Sequence, residues 1–328
     1  MFGDLAPSVL TELFKEADRL LHPVFDILAK TLVNESVISF DDTKIKIQPE
    51  SKGGKRSAWA SCFVSEQVIL YLFSEDHAGI CFKDLLKQRI QELSEPVVLT
   101  DALPSYEPYK GDVIDAHCLT PARRRFKDAY EEDSDFCDDM IELIGEIYDN
   151  DSETKEMTAK QRLEHHKSHS TEVFEQIVEE IEEARETQRF LPSSELSKAT
   201  DYIVDKVDRL KVFLEVEGVP LDTNHVERKI KSIIRLRKQA PIFKTKEGAA
   251  RTGRLLSLIE TALHVGVNPR RYLEWSIKKA REGHPAEEMT PWAFKRHLEQ
   301  EGQLEARNFE KEGPRAQRPE YEEEMATS

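Results

Sequence analysis

Three acidic residues in distant stretches have the side chains and contexts that could do chemistry: Asp41 in VISFDDTKIKI, Asp101 in PVVLTDALPSY and Glu227 in LDTNHVERKIKSIIRLRK. The first precedes a strand pattern, the second ends one, and the third opens a basic helix. Carboxylates delivered from remote parts of a chain are what a pair of divalent cations needs in order to act on a phosphodiester.

Each acid also has a bland explanation. Ladders disfavour Asp, so Asp41 and Asp42 could mark a bulge or a strand end. If Phe40 and Asp42 share a face, Asp41 lies on the other. Asp101 follows Val97-Val98-Leu99-Thr100 and stands where a sheet holds active groups, but it could equally form a turn before Ala-Leu-Pro. For Glu227, Asn224-His225-Val226-Glu227 fits a capping box, and spacing alone favours that cap. Arg228, Lys229, Lys231, Arg235, Arg237 and Lys238 follow at once. A helix face of this kind can hold a phosphate backbone without reading bases, or be a solvated face paired with acids elsewhere. His117 and His225 lie near the acids in sequence and could place a water or touch a phosphate. Arg123-Arg124-Arg125 most simply begins a helix and also offers phosphate contacts. The run His165, His166, His169 is better explained as a solvated helical face than as a metal site.

Elements that could position these residues follow from periodicity. Residues 8–33 carry apolar side chains at helical spacing, with Pro23 predicted to divide the helix or kink it. Residues 37–75 change to strand patterns, forming a meander with turns at Gly53-Gly54 and Ser65-Glu66-Gln67. A helix is expected at 81–93, a buried strand at 96–101, a turn with Pro104, a short helix, and a strand at 112–119. This is the element order of an α/β, ribonuclease-H-like mixed sheet. From Arg123 to about 215 the pattern is helical and acidic, a large insertion into the sheet domain. Helices from Asn224 to before Pro241, at 247–265, from Pro269 and from Thr290-Pro291 flank the sheet. The expected organisation is therefore an N-terminal helical segment at 1–36, core at 37–126, acidic insertion at 127–215, core helices with the glutamate and basic face at 216–281, and a C-terminal helix with a disordered acidic tail at 282–328.

The 328 residues carry 47 Lys and Arg against 63 Asp and Glu, a net charge of −16. That sum argues against nucleic acid, but its distribution does not. Between Arg228 and Arg254 ten bases face one acid, Glu247, and screening over ~10 Å makes the local stripe matter more than the total. Cys62, Cys81, Cys118 and Cys137 lack CxxC spacing and fit reduced, mostly buried thiols. The apolar runs are too short to cross a bilayer, and the first residues have no basic stretch leading into an apolar one. No phosphate-binding glycine loop is present, so no nucleotide cofactor is expected. A cytoplasmic location fits.

The chain resembles insertion-sequence-66-type transposases of the DDE superfamily. The likeness rests on FDDT at 40–43, VVLTDALPSY at 97–106, AHCLTPARRRF at 116–126, the stretch from Leu191 to Ile230 and LLSLIETALHVGVNPRRYLEWSI at 255–277. Carried over, it puts the catalytic and metal-binding acids on Asp41, Asp101 and Glu227, with Thr43 as the matching threonine. It implies a ribonuclease-H-like fold with a helical insertion before the glutamate. Two Mg²⁺ or Mn²⁺ ions, cleavage at element ends, strand transfer into target DNA and a homo-oligomer on DNA are implied with it. This sequence departs from the family at Asp222-Thr223-Asn224, where Asp-Asn-Asn is usual, and at Gln239-Ala240, where Asn-Trp is usual. The family also commonly has a zinc-binding and DNA-binding region ahead of the first acid, where this chain has 40 residues before Asp41. The alternative expectations are a truncated, inactive DNA-binding or regulatory remnant, and a structural helical protein whose acids are caps and turns.

Overall fold

The computed structural model describes residues 6–48, 56–102, 113–239 and 242–302. The expected turns at Gly53-Gly54 and Pro104, the short helix after Pro104 and the tail lie outside them. Helix α1 (Pro7–Asn34) leads into strands β1 (Val37–Ile47), β2 (Arg56–Val64) and β3 (Ile69–Ser74), then α2 (Ala78–Leu86), β4 (Val97–Thr100) and β5 (Ile114–His117). The five strands form one sheet in the order β3-β2-β1-β4-β5. β1–β2 and β2–β3 pair antiparallel, and β1–β4 and β4–β5 pair parallel. This is the ribonuclease-H-like mixed sheet expected from the element order.

The helices after β5, which carry the expected insertion, are α3 (Thr120–Asp128), α4 (Ser134–Glu153), α5 (Ala159–His169), α6 (Thr171–Glu186), α7 (Glu195–Val204) and the short turns α8 (Val207–Leu210) and α9 (Val212–Glu215). After it come α10 (Asn224–Gln239), α11 (Lys246–His264), α12 (Pro269–Arg281), a 3₁₀ turn at Ala286–Met289 and α13 (Pro291–Gln300). Among the described residues no helix is long and apolar enough to cross a membrane. The four cysteines are free thiols, three of them buried.

Two expectations are refined. Of the two outcomes expected at Pro23, division does not occur: α1 runs through it, with Leu21, Val24, Leu28 and Leu32 fully buried around it. Burial of that stripe outweighs the hydrogen bond the proline removes, a cost of ~3 kcal/mol in an isolated helix. Helix α2 spans Ala78–Leu86 rather than about 81–93; it starts early because a residue remote in sequence caps its first amide.

Alternation along β1 sorts its side chains between two layers. Ile38 and Phe40 enter a core with α1, α2 and α12. Ile45 and Ile47 enter a second core with Val226, Ile230 and Ile233 of α10. On that same face Val97, Leu99 and Ala116 of β4 and β5 pack under the insertion in a third core. One sheet face is thus covered by two separate helical bodies, α10–α11 over β1–β3 and the insertion over β4–β5. Their seam runs between β1 and β4.

Candidate active site at the β1–β4 seam

Asp41 and Asp42 point to opposite faces. The Asp42 carboxylate, with a side chain only 3% exposed, accepts from the Ala78 amide at 3.0 Å and lies 3.0 Å from His77 Nδ1. It caps α2 on the Phe40 side, where α2 has no side-chain cap of its own. Asp41 pairs with Cys62 in the sheet register and shares the face of Ile45 and Ile47, under α10. Its charge adds to the burial that raises the Cys62 thiol.

The β1–β4 ladder runs Val37↔Val97, Ile38↔Val98, Ser39↔Leu99 and stops. Continued by two residues, that register sets Asp101 level with Asp41 and on the same face. The Val97 amide donates to Ser36 O at 2.8 Å, so even-numbered backbone groups of β1 point towards β4. The Asp42 amide, the next such donor beyond the ladder, is taken by Asp41 Oδ1 at 2.7 Å. Where the strands part, the first acid is therefore held by its own backbone. Both aspartates are half-buried.

Glu227 does not form the capping box. The helix begins at Asn224, so Thr223 is the cap and Glu227 falls one residue past the box position. The start of α10 is satisfied instead by Asp222, which accepts from the Asn224 amide at 2.9 Å, and the Glu227 side chain is exposed. Val226, Ile230 and Ile233 turn to the sheet. Lys229 turns to α11, its Nζ 3.3 Å from Glu260. At ~100° per residue Glu227 lies ~160° round the helix from Lys229, on the flank of α10 away from α11. Given the sheet order, that is the flank towards β4.

The three acids thus share one face and one seam but do not close on one another. Among the described residues no group of three His, Cys, Asp or Glu side chains is arranged to hold a metal ion. The donor chemistry, three carboxylates, suits a hard divalent cation such as Mg²⁺ or Mn²⁺.

The six basic residues of α10 divide. Arg228, Lys231, Arg235 and Lys238 are exposed and recur at spacings of three and four, so they form one stripe. Lys229 is occupied by Glu260, and the Arg237 guanidinium donates to Lys44 O at 2.8 Å. Those two tie α10 down and are not part of the stripe.

The histidines are placed differently from one another. His117 is buried and lies on the sheet face opposite Asp101, its Nε2 3.5 Å from Asp115. His225 is half-buried at the start of α10. Burial, then the charge of Arg228, push it down to about 4. His166 is not on a solvated face: it is 1% exposed, with Nδ1 3.0 Å from Ser170 Oγ and Nε2 3.1 Å from Asp151. Sequence spacing gave no sign of Tyr148 and Arg162. The Tyr148 hydroxyl lies 2.9 Å from Thr120 Oγ1 and acts on Asp222, whose carboxyl is raised first by burial, and Arg162 adds to the fields on His225. Both come from the insertion, so nothing near them in sequence connects them to α10.

The profile of the family described as "Transposase IS66 family" matches residues 3–251, well over half of the chain. Similar curated proteins include three from Sinorhizobium fredii (strain NBRC 101917 / NGR234). Uncharacterized protein y4hP is 22% identical over 325 residues, covering 89% of this chain and 57% of its own length. Uncharacterized protein y4jD is 26% identical over 308 residues, covering 84% and 57%. Uncharacterized protein y4qI is 28% identical over 185 residues, covering 55% and 34%. The chain therefore spans between about a third and little more than half of the length of these curated relatives.

Proposed function

The chain belongs to the IS66 family of transposases, and from that premise we propose that the β1–β4 seam is the catalytic centre for metal-dependent DNA cleavage and strand transfer. Asp41, Asp101 and Glu227 are its acids. The observation that supports the reading is the parallel β1–β4 ladder, Val37↔Val97 to Ser39↔Leu99, whose register, if continued by two residues, would set Asp41 beside Asp101 where the ladder ends and two helical bodies meet. A pair of Mg²⁺ or Mn²⁺ ions, when bound, would activate a water or a DNA 3′-hydroxyl and neutralise the leaving oxygen.

This chain's own groups divide the remaining work. Asp41 is oriented by the Asp42 amide. Asp101 stands one residue past the end of β4. Glu227, on the rim, completes the set from α10. Arg228, Lys231, Arg235 and Lys238 hold phosphates along the helix without reading bases. DNA, as element ends and target, is the partner, and hydrolysis and strand transfer differ only in the nucleophile.

The test is nicking of supercoiled plasmid and joining of end-bearing duplex with Mg²⁺ or Mn²⁺. Asp101→Asn should slow nicking about 10³-fold or more, the several kcal/mol that a lost metal contact removes, with an unchanged melting curve. Full nicking by that variant would remove the assignment. A wild-type chain that binds DNA but never nicks it would instead mark an inactive remnant.

A further inference from the structure

The insertion is the most acidic part of the chain: residues 131–186 hold 20 Asp and Glu against 5 Lys and Arg. Its outer helices repel a phosphate backbone. Its corner next to β4 and β5 is different. On α3, Arg124 and Arg125 are exposed. The Arg125 guanidinium lies 4.8 Å from the centre of the Tyr202 ring, and Lys206 Nζ lies 4.9 Å from the same centre. Among the described residues none of these three cations has a carboxylate partner.

Tyr202 fixes the corner in place. It is 6% exposed, and its hydroxyl donates to Cys118 O at 3.3 Å. The Cys118 amide in turn donates to Thr100 O, one residue before Asp101, at 2.8 Å. Burial raises the phenol most, and the charges of Arg125, Asp101 and Arg124 all act on it. Arg125 and Lys206 thus flank one ring, whose hydroxyl is linked by hydrogen bonds, through Cys118, to the residue before the second acid. A cation over an aromatic face keeps its hydrogen-bonding donors outward, so Arg125 and Lys206 are positioned without being neutralised.

We propose that Arg124, Arg125 and Lys206 form a second phosphate-binding bank, on the insertion side of the seam and facing the α10 stripe across it. A DNA duplex would be held by its backbone on both sides of the acids. The insertion would supply half of the hold, despite its overall negative charge. This rests on the reading of the seam as a DNA-processing centre.

Each phosphate contact contributes a slope of about −0.9 to log K against log salt concentration. The triple variant Arg124→Gln/Arg125→Gln/Lys206→Gln should lower the magnitude of that slope by about 2 to 3, measured by fluorescence anisotropy with a generic duplex at several salt concentrations. Lys231→Gln/Arg235→Gln should lower it by about 2, and the two losses should add. Melting curves of the variants verify that they fold. A folded triple variant with the wild-type slope and affinity overturns the second bank. If Asp101→Asn still loses nicking in that case, the seam reading stands and only the clamp fails. A wild-type chain with no affinity for duplex overturns both.

Discussion

At position 42 the carboxylate reaches across to the Ala78 amide and His77, while at position 41 it turns back onto the next amide under α10. Strand alternation sends adjacent acids to opposite layers, so adjacent residues acquire unrelated tasks. The two can be separated by experiment. Asp42→Ala removes the only side-chain oxygen on the first amide of α2 and should cost about 1–2 kcal/mol in urea unfolding, with nicking retained. Asp41→Asn keeps the bond to the Asp42 amide through its amide oxygen and should leave unfolding nearly unchanged while nicking is lost. The reverse pattern would exchange the roles. The sequence already contained the rule that separates the pair, since Phe40 and Asp42 had to share a face. What it could not supply was which face lies under α10, because that depends on helices more than 180 residues downstream.

At the scale of elements, the sheet edge at β3 is closed by α11. The Tyr71 amide donates to Ser257 Oγ at 2.8 Å and the Ile69 amide to Thr261 Oγ1 at 3.1 Å. A strand edge left open offers unpaired donors to other chains, and here hydroxyls one helical turn apart take them. Gly253 extends the row by one more turn, where a Cβ would stand 2.9 Å from Tyr71 O and 3.3 Å from the Phe73 ring. Gly253→Ala should therefore destabilise. Separating helix from strand costs about 1–3 kcal/mol, of which the helix propensity gained returns at most about 1. A urea midpoint at or above wild type would contradict this. The strand meander and the late helices were legible because their side chains alternate or recur with clear periods. Contacts at distance were not: α2 starts early because Asp42 caps it, Glu227 escapes its capping box because Thr223 takes the cap position, and α1 passes Pro23 because its stripe is buried on both sides. Local rules gave the opposite expectation in each of these places, and tertiary packing overrode them.

At the scale of the whole molecule, the two bodies over the sheet meet at the first turn of α10, so the stability of that junction reports their docking. His225 sits there, kept neutral first by burial and then by Arg228 of its own helix, with Arg162 from the insertion and His264 from the end of α11 adding to the field; only the Asp222 backbone favours its charged form. Folded, it gains a proton at about 4 rather than the ordinary 6.5. Between those values the unfolded chain binds more protons than the folded one, so stability must fall as pH falls, by up to about 3 kcal/mol for this group alone. Asp222, raised by burial, acts with the opposite sign: its contribution is full at low pH and is lost as pH rises through its raised value. Asp133, Glu132 and Asp151 are lowered by their partners, so their stabilisation is lost only at and below the ordinary carboxylate range. Through the window from about pH 6.5 down to about pH 5 the raised carboxyls of Asp222 and Glu35 act with the opposite sign to His225, so the difference between wild type and a His225 variant reads His225 itself. Urea midpoints of the wild type should decline through that window, and those of His225→Gln should decline less. If the two chains lose stability in parallel, His225 is not held neutral at the start of α10.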